Sequence, residues 1–475
     1  MWIFHHNWTL PIAVIALPFL LTKRRWVGAE RALFAAAVAT LIVRLAAQHL
    51  GGGFSADFHH FHESGRLATA GENPYPPRET PTLNPPTFLP LAKVIALIPD
   101  ETAAPWWGLG IVICSAACTW AAWKALQSAS NEAHQDAEPF PWGLAALVLL
   151  SPPVNTAVAL GQISALVGLA IFGGIWLQNS GRPVLGGLLL ATATFKPGTL
   201  IPALTLLLNR RGVRTFIGLA AGVLVLMLLA APPSRWVFLC REELVRIAEC
   251  EQPGRVNDID YTTGRDFNEI LSAGRIIQGL GVHDLQTRNR VERAVVLALT
   301  LALAGAAFSA KLRPPAAIAT AASLGCLFLY HRLYDCIILA APLYYCSTKS
   351  LQSSGARKIA FTAGVMAILW VLYLPGGRML GSLARWSTDA GTAGRLVQAV
   401  VLPVAAWLLV FIIVLIVADE FVHGSAPRTV RFRRMAGARH PNSVRAIRSD
   451  SRQPDAPERL ATATRKTEKS ESAEG

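Results

Sequence analysis

The chain has 475 residues, of which 52% are hydrophobic and only 16% charged, against roughly 25% charged in a soluble domain; a soluble globular enzyme is excluded. The formal charge is +14, but much of the excess lies after Asp419. That tail is rich in Ser, Ala and Thr and has no aromatic residue beyond Phe432, so it reads as a basic, unstructured cytoplasmic tail over 419–475 and not as a nucleic-acid surface.

Apolar runs of ~15–22 residues, continuous and not alternating, recur over 1–418 and predict an all-α polytopic membrane protein, not a barrel. The first run, Trp8 to Leu21, is followed by Lys23-Arg24-Arg25, which marks a retained span and a cytoplasmic turn. The second, Ala32 to Leu50, then delivers the polar segment from Asp57 to Pro86 to the outer face. Pro86 to Pro99 is apolar but short, and reads as an interfacial or re-entrant helix. Trp106 to Trp123 returns, Trp142 to Pro152 goes out, and the run opened by Gly161-Gln162 returns near Gln178. Val184 to Leu208 is interrupted by Phe195-Lys196-Pro197-Gly198, so it is either one long span or two short helices. Phe216 to Ala231 leads to a second polar stretch, Pro232 to Asn289. Val291 to Ala310, Ala316 to Leu329, Cys336 to Cys346, Ile359 to Leu374 and Leu396 to Ala418 complete the set.

Counted this way there are roughly 11–13 spans, with two large extracytoplasmic loops at about 51–105 and 232–289. Lys or Arg occupies nearly every short turn assigned inside, as the positive-inside rule requires. Asp57, Lys196, His331 and the second loop then all fall toward the outer face. Of the seven cysteines, Cys114, Cys118, Cys326, Cys336 and Cys346 lie in apolar runs and read as packing residues. Cys240 and Cys250 share the second loop, where a disulfide outside the cytoplasm is one reading and a straight helix holding them ~15 Å apart is the other.

Several polar residues in this frame are suited to chemistry. Asp57 follows Gly51-Gly52-Gly53 at a span end; a part-shielded carboxylate there suits a general base, or else caps a helix beginning at Phe58. His59, His60, His62 and Glu63 invite a metal, but HExxH spacing is lacking and adjacent histidines diverge on a helix, so no metal and no cofactor is expected. Lys196 stands in an apolar stretch, where a charge costs ~2.5–3.5 kcal/mol at mid-bilayer; it faces an anion such as a phosphate, or snorkels from a helix end. His331 and Arg332 end a span between Tyr330 and Tyr334 and suit either phosphate binding or interfacial anchoring. Gln162, Asn268 and Arg275 are polar residues near the outer boundary.

Four local patterns, taken in order, resemble glycosyltransferase family 87: Asp57-Phe58 with Ala70-Gly71-Glu72-Asn73-Pro74-Tyr75 and Pro85-Pro86; Ser151-Pro152-Pro153 with Gly161-Gln162; Gly186-Gly187 with Phe195-Lys196-Pro197 and Arg210-Arg211; and the late His331. The resemblance implies a GT-C architecture and an inverting sugar transfer, with mannose the first choice of sugar. The donor would be a polyprenyl-phosphate sugar, and the acceptor a glycolipid or glycan in or at the cell membrane. It implies Asp57 as catalytic base, Lys196, His331 and Arg332 at the donor phosphate, and Asn73, Tyr75, Gln162 and Asn268 at the substrate. Partners are then the lipid donor, the acceptor and membrane lipids, with no nucleic acid. Two other readings fit the composition: a lipid-linked saccharide ligase or polymerase, and a transporter or flippase, which also uses broken helices and intramembrane charge.

Overall fold

A computed structural model of the chain describes residues 26–51, 56–77, 83–130, 139–207, 212–260, 263–264, 270–309, 311–327, 331–373 and 378–423. The expected first span at Trp8 to Leu21, the glycines at 52 and 53, Arg210-Arg211, Asn268 and the tail after 423 lie outside these residues. Nearly all of the described chain is helical, and it is the chain of a polytopic membrane protein.

Proline sets many of the breaks. Helix α1 (Val27–Leu50) and α2 (Ala56–Thr69) are followed by a 3₁₀ turn at Pro86–Phe88, α3 (Leu89–Ile95) and α4 (Asp100–Ala129). Then come α5 (Trp142–Leu150), α6 (Pro152–Leu160), α7 (Ser164–Asn179) and α8 (Pro183–Ala191). A second 3₁₀ turn (Thr192–Phe195) leads to α9 (Pro197–Leu204) and α10 (Gly212–Ala230). Helices α6, α8 and α9 each carry proline in the first turn, where the missing N–H removes no bond. The same prolines end the preceding apolar run, because the residue before a proline is pushed out of the helical region.

The second half holds α11 (Trp236–Cys250), the two-residue strand β1 (Ile270–Leu271), α12 (Ala273–Gly279), α13 (Leu285–Phe308), α14 (Pro314–Gly325) and β2 (His331–Arg332). A 3₁₀ stretch (Leu333–Leu339), α15 (Ala340–Gln352), α16 (Gly355–Tyr373), α17 (Arg378–Asp389), α18 (Gly391–Leu396) and α19 (Val404–His423) follow. Strand β1 pairs antiparallel with β2, Ile270 opposite Arg332 and Leu271 opposite His331. This pairing ties the second polar loop to the segment after α14.

Among the described residues six helices are long and apolar enough to cross a bilayer: α1, α4, α10, α13, α16 and α19. The pair α5 and α6, bent by 56° between them, makes a seventh if taken as one broken span. Further apolar runs counted at the sequence level form shorter helices, at Pro86–Ile95, Ser164–Asn179, Pro183–Phe195 and Pro197–Leu207. The Val184 to Leu208 run is thus two short helices meeting at Lys196, not one long span.

Small residues let these short helices pack closely, as in membrane interfaces generally. A Cβ on Gly187 would lie 2.0 Å from the Thr215 carbonyl oxygen, and one on Gly218 would lie 2.3 Å from that of Val184. Helix α8 is therefore pressed against α10. Lys93 of α3 donates to the Ala230 carbonyl at 2.6 Å and to that of Leu229 at 3.2 Å, satisfying carbonyls that the end of α10 leaves open.

At the far end of the chain Arg313 binds Glu420 through two guanidinium nitrogens at 2.7 Å each, and Arg357 grips Asp419 at 2.7 and 2.8 Å. These paired contacts anchor the last turns of α19, which runs past Ala418 to His423. Cys240 and Cys250 are both free thiols on α11; Cys118, Cys326, Cys336 and Cys346 are buried in the core.

Candidate functional site

Three of the sequence patterns, together with Asp335 four residues after the fourth, are linked through hydrogen bonds. The organising element is the short connection Gly161 to Ser164 between α6 and α7. Gly161 takes a left-handed conformation, φ 71°. Its N–H donates to the Val158 carbonyl at 3.3 Å, and the N–H of Gln162 reaches back to that of Ala157 at 2.8 Å. This is a Schellman C-cap, and glycine is the residue that adopts it without a Cβ clash. The Trp107 indole N–H donates to the Gly161 carbonyl at 2.7 Å, and the Trp107 ring lies 6.0 Å from that of Phe58. The turn is fixed from both sides.

Gln162 is buried and its Nε2 donates to Asp57 Oδ2 at 2.5 Å. Asp57 sits in the first turn of α2, where the helix dipole favours a carboxylate. It is therefore not an N-cap for a helix starting at Phe58; its partner comes from 105 residues along the chain. One carboxylate oxygen is held by the glutamine.

Two residues on, Ser164 opens α7 and donates to Asp335 Oδ1 at 2.5 Å. Lys196 donates to the same Oδ1 at 2.6 Å and to Ser164 Oγ at 3.0 Å. The ammonium also lies 4.6 Å from the Tyr334 ring centroid, a cation–π distance. Lys196 and Asp335 are both largely buried, with 16% and 7% of their side chains exposed. Lys196 is thus a paired interior cation and not a snorkelling one. Asp335 was passed over at the sequence level because a single acid after Tyr334 shows no spacing signal; an interior lysine needing a counter-ion is the clue that could have found it.

The turn Ala70 to Tyr75 is joined to the same region. Tyr75 is fully buried, and its hydroxyl donates to the Asn84 carbonyl at 3.0 Å. The Asn84 amide in turn donates to the Phe195 carbonyl at 3.2 Å, one residue before Lys196. Asn73 accepts from the Tyr75 N–H and donates to Glu242 of α11, both at 3.0 Å. Asn73 and Tyr75 thus engage protein groups and shape the turn. Asn84 was not singled out from the sequence, although it precedes Pro85-Pro86 and connects the first pattern to the third. Aromatic rings follow the same line: Phe61 meets Phe88 at 4.9 Å and Phe88 meets Phe195 at 5.4 Å, edge to face.

Helix α11 of the second polar loop closes against this turn. Arg235 donates to the carbonyls of Gly71 at 2.8 Å and Glu72 at 3.4 Å. Glu243 is buried on the same helix, and burial pushes its carboxyl up to about 7. Burial likewise raises the Tyr75 phenol well above its ordinary value, with the Glu243 charge adding to the effect.

Arg332 donates to the Val256 carbonyl at 2.8 Å, so β2 also holds the second loop. His331 pairs by backbone with Leu271. Arg275 is buried and donates to the carbonyls of Ile270 at 3.2 Å and Leu402 at 2.8 Å, a structural assignment. His59 pairs with Asp100 at 2.5 Å, and His62 bonds the Ile98 carbonyl at 2.8 Å. The histidine run thus fastens α2 to the start of α4. Among the described residues no group of three His, Cys, Asp or Glu side chains is placed to hold a metal.

Sequence comparison supplies the family. No curated protein matches the chain in that comparison. The model of glycosyltransferase family 87 matches residues 83–334, just over half of the chain. The matched span holds Asn84, Gln162, Lys196, His331 and Arg332, while Asp57 precedes it and Asp335 follows it by one residue. With the helical membrane fold and these joined patterns, the chain belongs to glycosyltransferase family 87.

Proposed function

We propose that the protein moves a sugar, with mannose the first choice, from a polyprenyl-phosphate donor to a glycolipid or glycan acceptor at the outer face of the cell membrane, inverting the anomeric carbon. The observation that supports this best is the Asp57–Gln162 bond beside the Ser164–Lys196–Asp335 cluster. It sets a carboxylate and an ammonium on either side of one four-residue turn. The distribution of Lys and Arg among the turns supports the outer face.

In this reading Asp57 is the general base. Gln162 engages Oδ2 and leaves Oδ1 to accept the proton of the acceptor hydroxyl. That oxygen attacks the anomeric carbon, the bond from carbon to phosphate oxygen breaks, and the lipid phosphate leaves with the bonding pair. Lys196 has three N–H donors, two of them engaged by Ser164 and Asp335; the third is offered to a phosphate oxygen. Arg332 and His331, at the end of β2, add to the anion site, and such preorganised cations stabilise the leaving charge. Asn73 and Tyr75 act at the sugar by shaping the turn of the first loop, and Asn268, which lies outside the described residues, is assigned to the substrate by the resemblance alone. A lipid phosphate leaving group makes a nucleotide-binding fold unnecessary.

The test is transfer by purified protein in lipid nanodiscs, given radiolabelled polyprenyl-phosphate-mannose and a membrane-lipid extract. Wild type is expected to label a lipid or glycan acceptor and Asp57→Asn to lose that labelling while keeping its melting temperature. Undiminished transfer by Asp57→Asn overturns the assignment of the base. Transfer abolished by EDTA overturns the metal-free reading.

A further inference from the structure

Asn257 lies in the second polar loop, between α11 and β1. It is 3% exposed, and neither its amide nitrogen nor its amide oxygen has a hydrogen-bond partner. Among the described residues it is the one buried side chain with two such atoms. The other buried asparagines behave differently: Asn84 donates to the Phe195 carbonyl, and Asn155 donates to the carbonyls of Leu150 and Ser151. A buried amide without partners is costly, and native proteins rarely leave one without a reason.

The backbone around Asn257 is anything but loose. Its N–H donates to the Cys250 carbonyl at 3.0 Å. On one side, the carbonyl of Val256 is held by Arg332. On the other, the Asp258 carboxylate accepts from the N–H groups of Gly254 and Asp260 and from the Thr263 hydroxyl, at 2.7, 2.9 and 2.5 Å. The chain is fastened before, at and after Asn257, yet the amide itself is left unsatisfied. Arg332 connects this point to β2, and β2 runs three residues later into Asp335, the partner of Lys196.

We infer that Asn257 is a specificity-determining residue whose amide is reserved for a sugar hydroxyl pair of the substrate. A primary amide offers one acceptor and two donors in one plane, and neighbouring hydroxyls on a pyranose ring present both roles. A site that commits buried polar groups to a substrate hydroxyl discriminates strongly against an analogue lacking it. The inference rests on the sugar transfer proposed above, but not on Asp57 as the base or on mannose as the sugar.

The test uses full-length protein in nanodiscs as wild type, Asn257→Leu, Asn257→Ser and Asp57→Asn, with labelled polyprenyl-phosphate-mannose, -glucose and -arabinofuranose offered in separate reactions. Thermal unfolding without substrate is measured beside transfer. Asn257→Leu is expected to melt at or above the wild-type temperature, because an apolar isostere removes two unsatisfied groups. With the donor that wild type uses, its KM for donor or acceptor is expected to rise at least tenfold. Asn257→Ser, smaller and polar, covers the case in which leucine does not fold, with the same KM rise expected. A melting temperature below wild type for both variants, or an unchanged KM, overturns the inference. If wild type transfers from none of the three donors, the proposed donor class fails. The melting comparison then still decides whether the amide is free for a ligand: a rise supports it and a fall overturns it.

Discussion

Lys196 and Asp335 stand 139 residues apart in the chain and 2.6 Å apart at Nζ and Oδ1. Ser164 completes the contact by donating to the same carboxylate oxygen. The pair neutralises itself, so the ammonium is already positioned and half-compensated. This fixes where the cation is without making it the strong electrostatic attractor that a lone lysine would be.

Breaking the pair from either side leaves a largely buried charge alone, at a cost of about 3–5 kcal/mol. Asp335→Ala and Lys196→Met are each expected to lower the melting temperature in nanodiscs clearly. The double variant Lys196→Met with Asp335→Leu is expected to recover most of that stability and none of the transfer. Recovery of transfer in the double variant would mean that the pair is purely structural.

Gly161 sets the aim of Gln162. A residue with a Cβ in the left-handed region costs about 1–2 kcal/mol, and relief comes by unwinding the Schellman turn. Gly161→Ala is therefore expected to reduce kcat in step with Gln162→Leu, by at least tenfold, although residue 161 itself offers no side chain to a substrate. An unchanged kcat in Gly161→Ala beside a lowered one in Gln162→Leu would mean that the turn does not aim the amide.

Glu243 gives a pH dependence whose sign follows from burial. Its carboxyl is raised to about 7 in the folded protein, above the ordinary 4.5. Between these values the folded state holds a proton that the unfolded state has released, so stability falls as pH rises. The loss begins near 4.5 and is complete above about 7. Hydrogen-exchange protection factors in α11, corrected for the intrinsic base-catalysed rate, are expected to be higher at pH 5.5 than at pH 8, and Glu243→Gln is expected to flatten that difference and raise protection at pH 8.

Gly187 tests the packing of α8 on α10. A Cβ there would fall 2.0 Å from a backbone carbonyl, which cannot be relieved by a side-chain rotation. Gly187→Ala is expected to cost about 1–3 kcal/mol, read as a lower melting temperature and a smaller folded fraction in size-exclusion chromatography. Gly110→Ala serves as the control, since nothing lies within 4 Å of the Cβ it would add.

The helical membrane class was legible because apolar runs are long and continuous, a signal that survives any tertiary detail. The break at Lys196 was legible for a similar reason: Pro197 beside an interior charge leaves few local options. The helix count was less so. Several apolar runs form helices of 16 residues or fewer, as at Ser164–Asn179 and Pro183–Ala191, and hydropathy alone does not separate these from full spans. Within the site, Asp57, Gln162 and Lys196 each stood out as a polar residue in an unusual place. Asp335, Asn84 and Asn257 did not: the first two matter for what they touch across 139 and 111 residues of chain, and the third for what its amide fails to touch. The metal reading of the histidine run was a neighbour-in-sequence idea; in three dimensions His59 and His62 look to Asp100 and Ile98 instead.

The wide separation of partners also orders the protein's birth. Asp57 leaves the ribosome 105 residues before the glutamine that holds it, and Lys196 leaves 139 residues before its counter-ion. During synthesis the membrane insertion machinery therefore receives Lys196 as an uncompensated charge, in a short helix that is a poor span by itself. Only when the segment after α14 arrives does the lysine find Asp335. A nascent chain halted before residue 335 holds Asp57, Gln162 and Lys196 but lacks the carboxylate that pairs with the lysine.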